Sequence, residues 1–120
     1  MSEPFDLGKK GEELACQHLM SMGYTIHHRN WRFRKYEIDI VATQNNTLVF
    51  VEVKTRTPGF ISKPEDSMNK GKQRQLIEGA HEYIKQNHWN ADSRIDLVKV
   101  YIDKQKVNIT HIENAVTPKW

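Results

Sequence analysis

The sequence predicts a single α/β domain whose elements follow the order α-β-β-β-α-β-β. Two segments carry apolar residues at helical spacing, about 100° per residue, and several shorter runs are rich in β-branched and aromatic residues. The chain has 120 residues, 38% of them hydrophobic, which suits one compact core. We therefore expect one domain over residues 1–120, with its core at about 5–114 and a loose tail at 115–120.

The first helix is predicted over residues 5–22, because its apolar side chains fall on one stripe. Gly23 follows at the position where a helix commonly ends on a residue of positive φ. A first strand is predicted over 24–30, followed by a basic and aromatic connection over 31–36. The helical stripe consists of Leu7, Gly11, Leu14, Ala15, His18, Leu19 and Met22.

Two β-rich runs, 37–43 and 48–55, flank the segment Gln44-Asn45-Asn46-Thr47 and predict a β-hairpin. Asn tolerates positive φ, so a two-residue turn at Asn45-Asn46 is favoured. With that turn, residues whose numbers sum to 91 lie opposite each other.

The second half of the chain predicts a loop, a helix and two strands. Two prolines and a glycine over 57–64 indicate an exposed loop, of the kind that often carries contacts. A helix is predicted over 67–86, with Asn87 near its end, and strands over 95–102 and 107–112. The apolar face of this helix comprises Leu76, Ile77, Ala80, Tyr83 and Ile84.

The composition excludes several classes of protein. Cys16 is the only cysteine, so an internal disulfide and a cysteine-rich zinc site are ruled out, and we expect Cys16 to be a small buried apolar residue. The histidines have no zinc-ligand or HNH-like spacing, and the adjacent His27 and His28 point to opposite faces of a strand. The apolar runs are too short to cross a bilayer and no export signal is visible, so we expect a cytoplasmic protein with no membrane partner.

Positive charge is concentrated after the first predicted strand. The net charge of +3 and the pI near 9.0 allow a polyanionic partner without demanding one. Arginines that meet phosphates, interleaved with rings that stack on bases or sugars, are typical of nucleic-acid surfaces. A solvated loop is the plainer interpretation, and it would be preferred if no catalytic site lay nearby. The cluster consists of Arg29, Arg32, Arg34 and Lys35 among Trp31, Phe33 and Tyr36, with a second wall of Lys63, Lys70, Lys72 and Arg74.

The predicted hairpin brings charges of like sign together. Along its second strand the valines share one face, whereas Phe50, Glu52 and Lys54 share the other. The register places Asp39 opposite Glu52, and Glu37 opposite Lys54. Two ionised carboxylates about 5 Å apart repel by roughly 3 kcal/mol at an effective dielectric constant of 20. A strand with a purely structural role would avoid such a pair.

A bound Mg²⁺ or Mn²⁺ would remove this repulsion, because hard divalent cations favour carboxylate, carbonyl and water oxygens. Asp39 and Glu52 are the expected direct ligands, with the backbone carbonyl of Val53 as a third. Lys54 could hold or help to deprotonate a water aimed at a phosphorus atom. The alternative is a solvated cross-strand ladder of charges. The apolar Phe50 on the same face implies a cover by a helix, which favours the metal site.

Helical geometry separates Glu12 from Glu13. Glu12 lies roughly 100° from the centre of the apolar stripe and Glu13 roughly 160°, so Glu12 can reach the edge of the sheet whereas Glu13 faces water. Glu12 is either an outer ligand of the metal or its water, or a first-turn acid that favours the helix N-terminus. The residues alone leave both interpretations open. Asp96 is expected to be a structural partner of Arg94 or of a lysine.

Several segments of the chain carry a family resemblance. They are Gly11-Glu12 with Ala15, Glu37-Ile38-Asp39-Ile40-Val41, Val49-Phe50-Val51-Glu52-Val53-Lys54, Lys72-Gln73 and Arg94-Ile95-Asp96-Leu97-Val98. With these segments the chain resembles, over nearly its whole length, the YraN family of uncharacterised bacterial proteins. That family is in turn similar to Holliday-junction resolvases of the PD-(D/E)xK, or restriction-endonuclease-like, nuclease superfamily.

The resemblance implies a restriction-endonuclease-like three-layer α/β/α core with a central mixed sheet. It also implies that Glu12, Asp39, Glu52 and Lys54 fill the positions of the active centre. Nucleases of this fold often place a polar residue near the start of the second helix to assist the site, and Gln73 occupies that place here. An ordinary surface position is the alternative for Gln73.

We therefore expect a Mg²⁺-dependent or Mn²⁺-dependent nuclease that hydrolyses phosphodiester bonds in DNA, branched DNA included. Its expected nucleic-acid contacts are Arg29, Arg32, Arg34, Lys35 and Lys72. The leading alternative is a catalytically inert nucleic-acid-binding module that retains the fold, and a more distant one is an RNA-binding or assembly protein. Two cuts on a symmetric junction would suit a homodimer with twofold symmetry.

Overall fold

The computed structural model describes residues 6–58 and 68–118, so most of the predicted loop at 57–64, with Lys63, lies outside the described residues. Two helices and five strands follow one another in the predicted order. The strands form one mixed sheet, β1-β2-β3-β4-β5, in which β3 and β4 run parallel. The prediction of an α/β fold with a mixed sheet is thereby confirmed. The elements are α1 Leu7–Ser21, β1 Thr25–Phe33, β2 Tyr36–Gln44, β3 Thr47–Arg56, α2 Lys70–Gln86, β4 Ser93–Asp103 and β5 Lys106–Val116.

Helix α1 has a clear start and stop signal. The Asp6 side chain accepts a hydrogen bond from the backbone N–H of Lys9 at 3.1 Å, which satisfies one of the free donors of the first turn. At the other end Gly23 adopts φ 92°, the left-handed conformation that ends many helices. The helix therefore ends as predicted. It begins at Leu7, and residue 5 of the predicted span lies outside the described residues.

Strand β1 is longer than the sequence predicts. The predicted connection over 31–36 is wrong, because Trp31 and Phe33 are strand residues paired with β2. Only Arg34 and Lys35 form the turn, with Arg34 at φ 55°. Pairing with a neighbouring strand and the β-propensity of aromatic residues override the local charge pattern.

The turn between β2 and β3 is the predicted one. Asn45 and Asn46 adopt φ 51° and 63°, and the ladder runs from Gln44–Thr47 to Ile40–Val51 in the register whose residue numbers sum to 91. Local sequence is sufficient here because the turn itself sets the register.

Beyond the Ile40–Val51 pair the two strands diverge, although each continues for several residues. The backbone N–H of Val53 donates to Asp39 Oδ2 at 2.8 Å, so a side chain takes the place of a backbone acceptor. The strands thus form an open fork. The predicted pairs that the divergence removes from the ladder are Asp39–Glu52 and Glu37–Lys54.

Helix α2 begins at Lys70 rather than at residue 67. Asn69 is the reason, because its side chain accepts a hydrogen bond from the backbone N–H of Lys72 at 2.8 Å and caps the first turn. The helix ends as predicted, with Asn87 as its C-cap.

Strand β5 extends to Val116, beyond its predicted end at residue 112. A register shift near Asp96 and a positive φ of 51° at Asn114 let the strand bend and continue its pairing. Val116 pairs with Ile95 and is 2% exposed. The predicted loose tail is therefore wrong for Ala115 and Val116, because pairing with a distant strand is not visible in local composition.

Each face of the sheet is covered by one helix, which gives three layers. The predicted burial of Cys16 is confirmed. Within the described residues, neither helix has the length and apolar character needed to cross a membrane. The core under α1 contains Ala15, Cys16, Leu19, Tyr24, Ile40, Ala42, Val49, Val51, Val98, Val100 and Ile102. The core under α2 contains Ile38, Val41, Leu48, Phe50, Met68, Leu76, Ala80, Tyr83, Ile95, Leu97 and Val116.

Candidate functional site

Most of the predicted catalytic and metal-binding residues line one cleft of about 650 Å³ at the fork between β2 and β3. Strand β2 contributes Asp39, β3 contributes Glu52, Val53 and Lys54, and α1 contributes Glu12. The divergence of the strands therefore does not separate the acids. It makes room between them, where a paired ladder would leave none.

Asp39 sits at an interruption in the alternation of β2. Ile38 packs in the core under α2 and Ile40 in the core under α1, although residues two apart in a regular strand share one face. The change of face occurs at Asp39, whose carboxylate accepts the Val53 N–H. This interruption points the Asp39 side chain toward the fork. A prediction that assumes strict alternation along the strand cannot locate the interruption.

Glu52 is one of two buried charged residues among the described residues and is 7% exposed. The pKa of Glu52 is raised to about 8, first by burial and then by the hydrogen bond and charge of Asp39, whereas Lys72 lowers it. Lys72 Nζ lies 2.9 Å from Glu52 Oε2. This is an ammonium–carboxylate contact of hydrogen-bonding length, and it opposes the rise in the pKa of Glu52.

Asp39 links Glu52 to Glu12. Burial raises the pKa of Glu12, and the charge of Asp39 and a hydrogen bond to it act in the same direction. Asp39 thus lies within hydrogen-bonding reach of both other carboxyl groups. The first turn of α1 contains no acid, so the interpretation of Glu12 as a first-turn acid is wrong. Glu13 lies beside it and pairs with Arg29 at 2.9 Å.

Gly11 determines how closely α1 approaches the sheet. A Cβ atom on Gly11 would lie 1.8 Å from Thr55 Oγ1 and 2.8 Å from Thr55 Cβ. Only glycine allows this contact, although glycine inside a helix costs about 1 kcal/mol relative to alanine. The close approach brings the next residue, Glu12, to the cleft. A glycine in the middle of an amphipathic helix was the available sequence signal for this contact.

Two predicted site residues at the start of α2 have partners within the protein. Lys72, predicted to contact nucleic acid, is paired with Glu52 in this structure. Gln73, predicted to assist the site, donates from Nε2 to the backbone carbonyl of Met68 at 2.7 Å and does not line the cleft. The structure therefore brings Lys72, and not Gln73, to the acids.

The predicted basic cluster is divided between ion pairs and a turn. Arg29 pairs with Glu13, and Arg32, which lines the cleft, pairs with Glu37 at 3.1 Å. The other two cations lie in the β1–β2 turn over aromatic rings. Arg34 Cζ is 5.1 Å from the centre of the Phe33 ring, and Lys35 Nζ is 5.7 Å from that of Tyr36.

The donor set of the cleft fits a hard divalent cation with few protein ligands. Within residues 6–58 and 68–118, no group of three or more His, Cys, Asp and Glu side chains is arranged to hold a metal ion. Two carboxylates, Asp39 and Glu52, and the nearby Val53 carbonyl would be supplemented by water. Mg²⁺ commonly binds in this way, through one or two carboxylates and several waters.

The second buried acid, Asp96, has a different environment. Arg94 Nε donates to Oδ1 at 3.0 Å, His111 Nε2 lies 2.7 Å from Oδ2, and the backbone N–H of Asn114 donates at 3.0 Å. Arg94 also donates to Tyr24 Oη at 2.6 Å. The predicted pairing of Asp96 with Arg94 is confirmed. His111 and Tyr24 were missed because they come from distant segments and no local spacing indicates them.

Comparison with known proteins gives one family. The profile of the uncharacterised protein family UPF0102 matches residues 11–100. A UPF0102 protein of Flavobacterium psychrophilum is 40% identical over 115 residues, which are 96% of this chain and 97% of the relative. One from Phocaeicola vulgatus is 38% identical over 118 residues, 98% of each chain. One from Alkaliphilus oremlandii is 39% identical over 112 residues, 91% of this chain and 96% of the relative.

Among solved structures, the chain is similar to Pyrococcus furiosus SfsA in complex with Ca²⁺. The TM-score is 0.41 and the sequence identity 18%, over 89% of this chain and 62% of that one. A similarity at this level carries no functional argument.

Proposed function

The chain belongs to the uncharacterised protein family UPF0102, the YraN family whose motifs it resembles, and we propose its function from the residues that line the cleft. The protein is a Mg²⁺-dependent or Mn²⁺-dependent nuclease with a restriction-endonuclease-like core that hydrolyses phosphodiester bonds in DNA. The observation that carries this proposal is the buried Glu52 carboxyl beside Asp39 in an accessible cleft. A fold without use for these groups would lose stability by keeping them together.

Asp39 and Glu52 are the direct ligands in this proposal, and the Val53 carbonyl is the third. A bound divalent cation would neutralise the two carboxylates and stabilise the charge that develops on a phosphate group. Lys54, from the same strand, donates hydrogen bonds to the attacking water and orients it. Glu12 holds the outer side of the site through Asp39.

The DNA surface runs from the cleft to the β1–β2 turn. Arg32 lines the cleft, and Arg34 and Lys35 lie in the turn beyond it. The Trp31 and Phe33 rings are stacked, with centroids 6.3 Å apart and an interplanar angle of 25°. Guanidinium groups beside aromatic rings suit phosphates next to unstacked bases, which supports branched or partly unpaired DNA as the substrate. A twofold homodimer would bring two clefts to a symmetric junction.

The second candidate is a catalytically inert nucleic-acid-binding module. The Lys72–Glu52 pair favours it, because an internal cation already compensates the buried acid. On this alternative the basic turn would bind DNA without cleavage.

Labelled linear, flap and four-way DNA incubated with Mg²⁺, Mn²⁺ or EDTA distinguishes the candidates. We expect wild-type protein to cut at least one substrate with metal and none with EDTA. Lys54→Met should lower single-turnover cleavage by about 10²- to 10⁴-fold, as loss of a positioned acid or base does, while DNA binding changes little. Lys106→Met, at an exposed lysine that begins β5, is the matched control and should cut like the wild type. Binding without cleavage under all conditions would favour the inert module.

A further inference from the structure

The Lys72 ammonium group lies against the buried carboxylate of Glu52. Its Nζ lies 2.9 Å from Oε2, and the two side chains differ in exposure: 36% for Lys72 and 9% for Glu52. The acid is fixed in the protein, whereas the lysine reaches it from the surface of α2. The ion pair therefore has one immobile partner and one that can turn to solvent without any change in the backbone.

The position of Lys72 in the helix disfavours a positive charge. Asn69 caps the backbone N–H of Lys72, so Lys72 lies in the first turn of α2, at the positive end of the helix dipole. The first turn contains no acid. Cations are unfavourable at this end, and the contact with Glu52 is the interaction that compensates for it.

The contact joins one ammonium group to one carboxylate oxygen at 2.9 Å. A hard divalent cation carries twice the charge and binds carboxylate oxygen directly. It can therefore compete with the ammonium group for Glu52.

We propose that Lys72 is a displaceable internal cation that neutralises Glu52 in the metal-free protein and leaves it when Mg²⁺ or Mn²⁺ binds. The released ammonium, on α2 beside Glu52, is then available to a phosphate group of the substrate. This inference depends on the proposed metal site. It assigns to Lys72 a role that alternates between Glu52 and the substrate, in place of a permanent contact with nucleic acid.

The amine reactivity of Lys72 tests the displacement in the wild-type protein. Lysines are acetylated briefly at pH 9, above the pKa of about 8 of Glu52, in EDTA or in saturating Mg²⁺, and the modified sites are quantified by mass spectrometry. Lys72 should react several-fold faster with Mg²⁺ than with EDTA. Lys85 is the internal reference, since its partner on the same helix is Glu82, at 3.5 Å, and not Glu52; its rate should not change. In Glu52→Gln, Lys72 should react at the faster rate under both conditions.

A variant gives an independent readout. Calorimetry at pH 9, above the pKa of about 8 of Glu52, should show Mg²⁺ bound more tightly by Lys72→Met, on the order of tenfold, because a competing cation is removed. Lys85→Met should bind like the wild type. The displacement is overturned if Mg²⁺ binds the wild type without changing the reactivity of Lys72. It is also overturned if Mg²⁺ binds the wild type and Lys72→Met equally tightly. Either result leaves the proposed function intact. Failure of Mg²⁺ to bind the wild type overturns the metal site and the displacement together.

Discussion

The two buried acids of the sheet, Glu52 and Asp96, lie on adjacent parallel strands and have opposite environments. In the register, Asp96 pairs with Val51 and Leu97 with Glu52, so the acids are one position apart. Asp96 is 0% exposed and contacts Arg94, His111 and the Asn114 N–H. Both of its oxygens are satisfied by the protein itself.

Glu52 has no comparable set of partners. It contacts a half-buried lysine and stands beside Asp39. Its neighbourhood raises its pKa, which means that the ionised form is poorly accommodated. The comparison shows that burial alone does not identify a functional acid: the distinguishing feature is an acid buried beside another acid in a cleft.

The largest expected effect is at the satisfied acid. Asp96→Ala removes the buried carboxylate that Arg94 and His111 share, so the free energy of unfolding should fall by about 3–5 kcal/mol. Urea denaturation measures it. Asp92→Ala, at an exposed aspartate, should stay within about 0.5 kcal/mol of the wild type. A loss for Asp96→Ala no greater than that of the control would remove the distinction between the two acids.

The pH dependence of stability should depend on Glu52. Its pKa is about 8 in the folded protein against 4.5 for the ordinary group, so the folded state keeps a proton that the unfolded chain has released. Without metal, the free energy of unfolding should therefore fall as the pH rises from about 4.5 to 8, by on the order of a few kcal/mol. Glu52→Gln should flatten this decline and be the more stable protein at pH 9. Equal slopes for the two proteins in urea titrations would contradict the assignment.

A smaller effect is expected at the contact between α1 and β3. Gly11→Ala forces a Cβ against Thr55, which should cost about 1–3 kcal/mol of stability and weaken metal binding by shifting Glu12. Gly8→Ala is the matched control in the same helix, because its Cβ would meet only Asp6 Oδ1 at 3.4 Å. It should stabilise the protein by up to about 1 kcal/mol. Thermal unfolding and metal titration of both variants separate packing from helix propensity.

The smallest effect concerns the basic turn. Replacing Arg34 and Lys35 by Ala should lower the slope of log affinity for DNA against log salt by about 2, since each phosphate contact contributes about 0.9. Arg29→Ala should change the slope less, because Arg29 is already paired with Glu13. Lys85→Ala, near the other end of α2, is the control. An unchanged slope in the double variant would move the DNA surface elsewhere.

The sequence predicts features that short segments determine and misses those that distant segments determine. The Asn45-Asn46 turn and the end of α1 at Gly23 are local, and both were predicted. The sequence correctly predicts that Asp39 and Glu52 lie close together. It does not predict the divergence of β2 from β3, because the divergence depends on Asp39 accepting the Val53 N–H.

Long-range pairing accounts for the remaining differences. The extension of β5 to Val116 needs its partner Ile95, and no composition rule supplies that partner. The contact of Lys72 with Glu52 requires the start of α2 to lie over β3. The Lys72-Gln73 segment predicts that this helix start lies near the site. It does not indicate which of the two side chains faces Glu52.

Metal binding to the acids of the fork is the most direct test of the account. Protein treated with EDTA and dialysed is titrated with Mg²⁺ and Mn²⁺ by calorimetry, in the wild type, in the double variant Asp39→Asn with Glu52→Gln, and in Asp103→Asn as a control. We expect one site in the wild type and in the control, and its loss in the double variant. The same affinity in the double variant and the wild type would show that the fork between β2 and β3 is not a metal site.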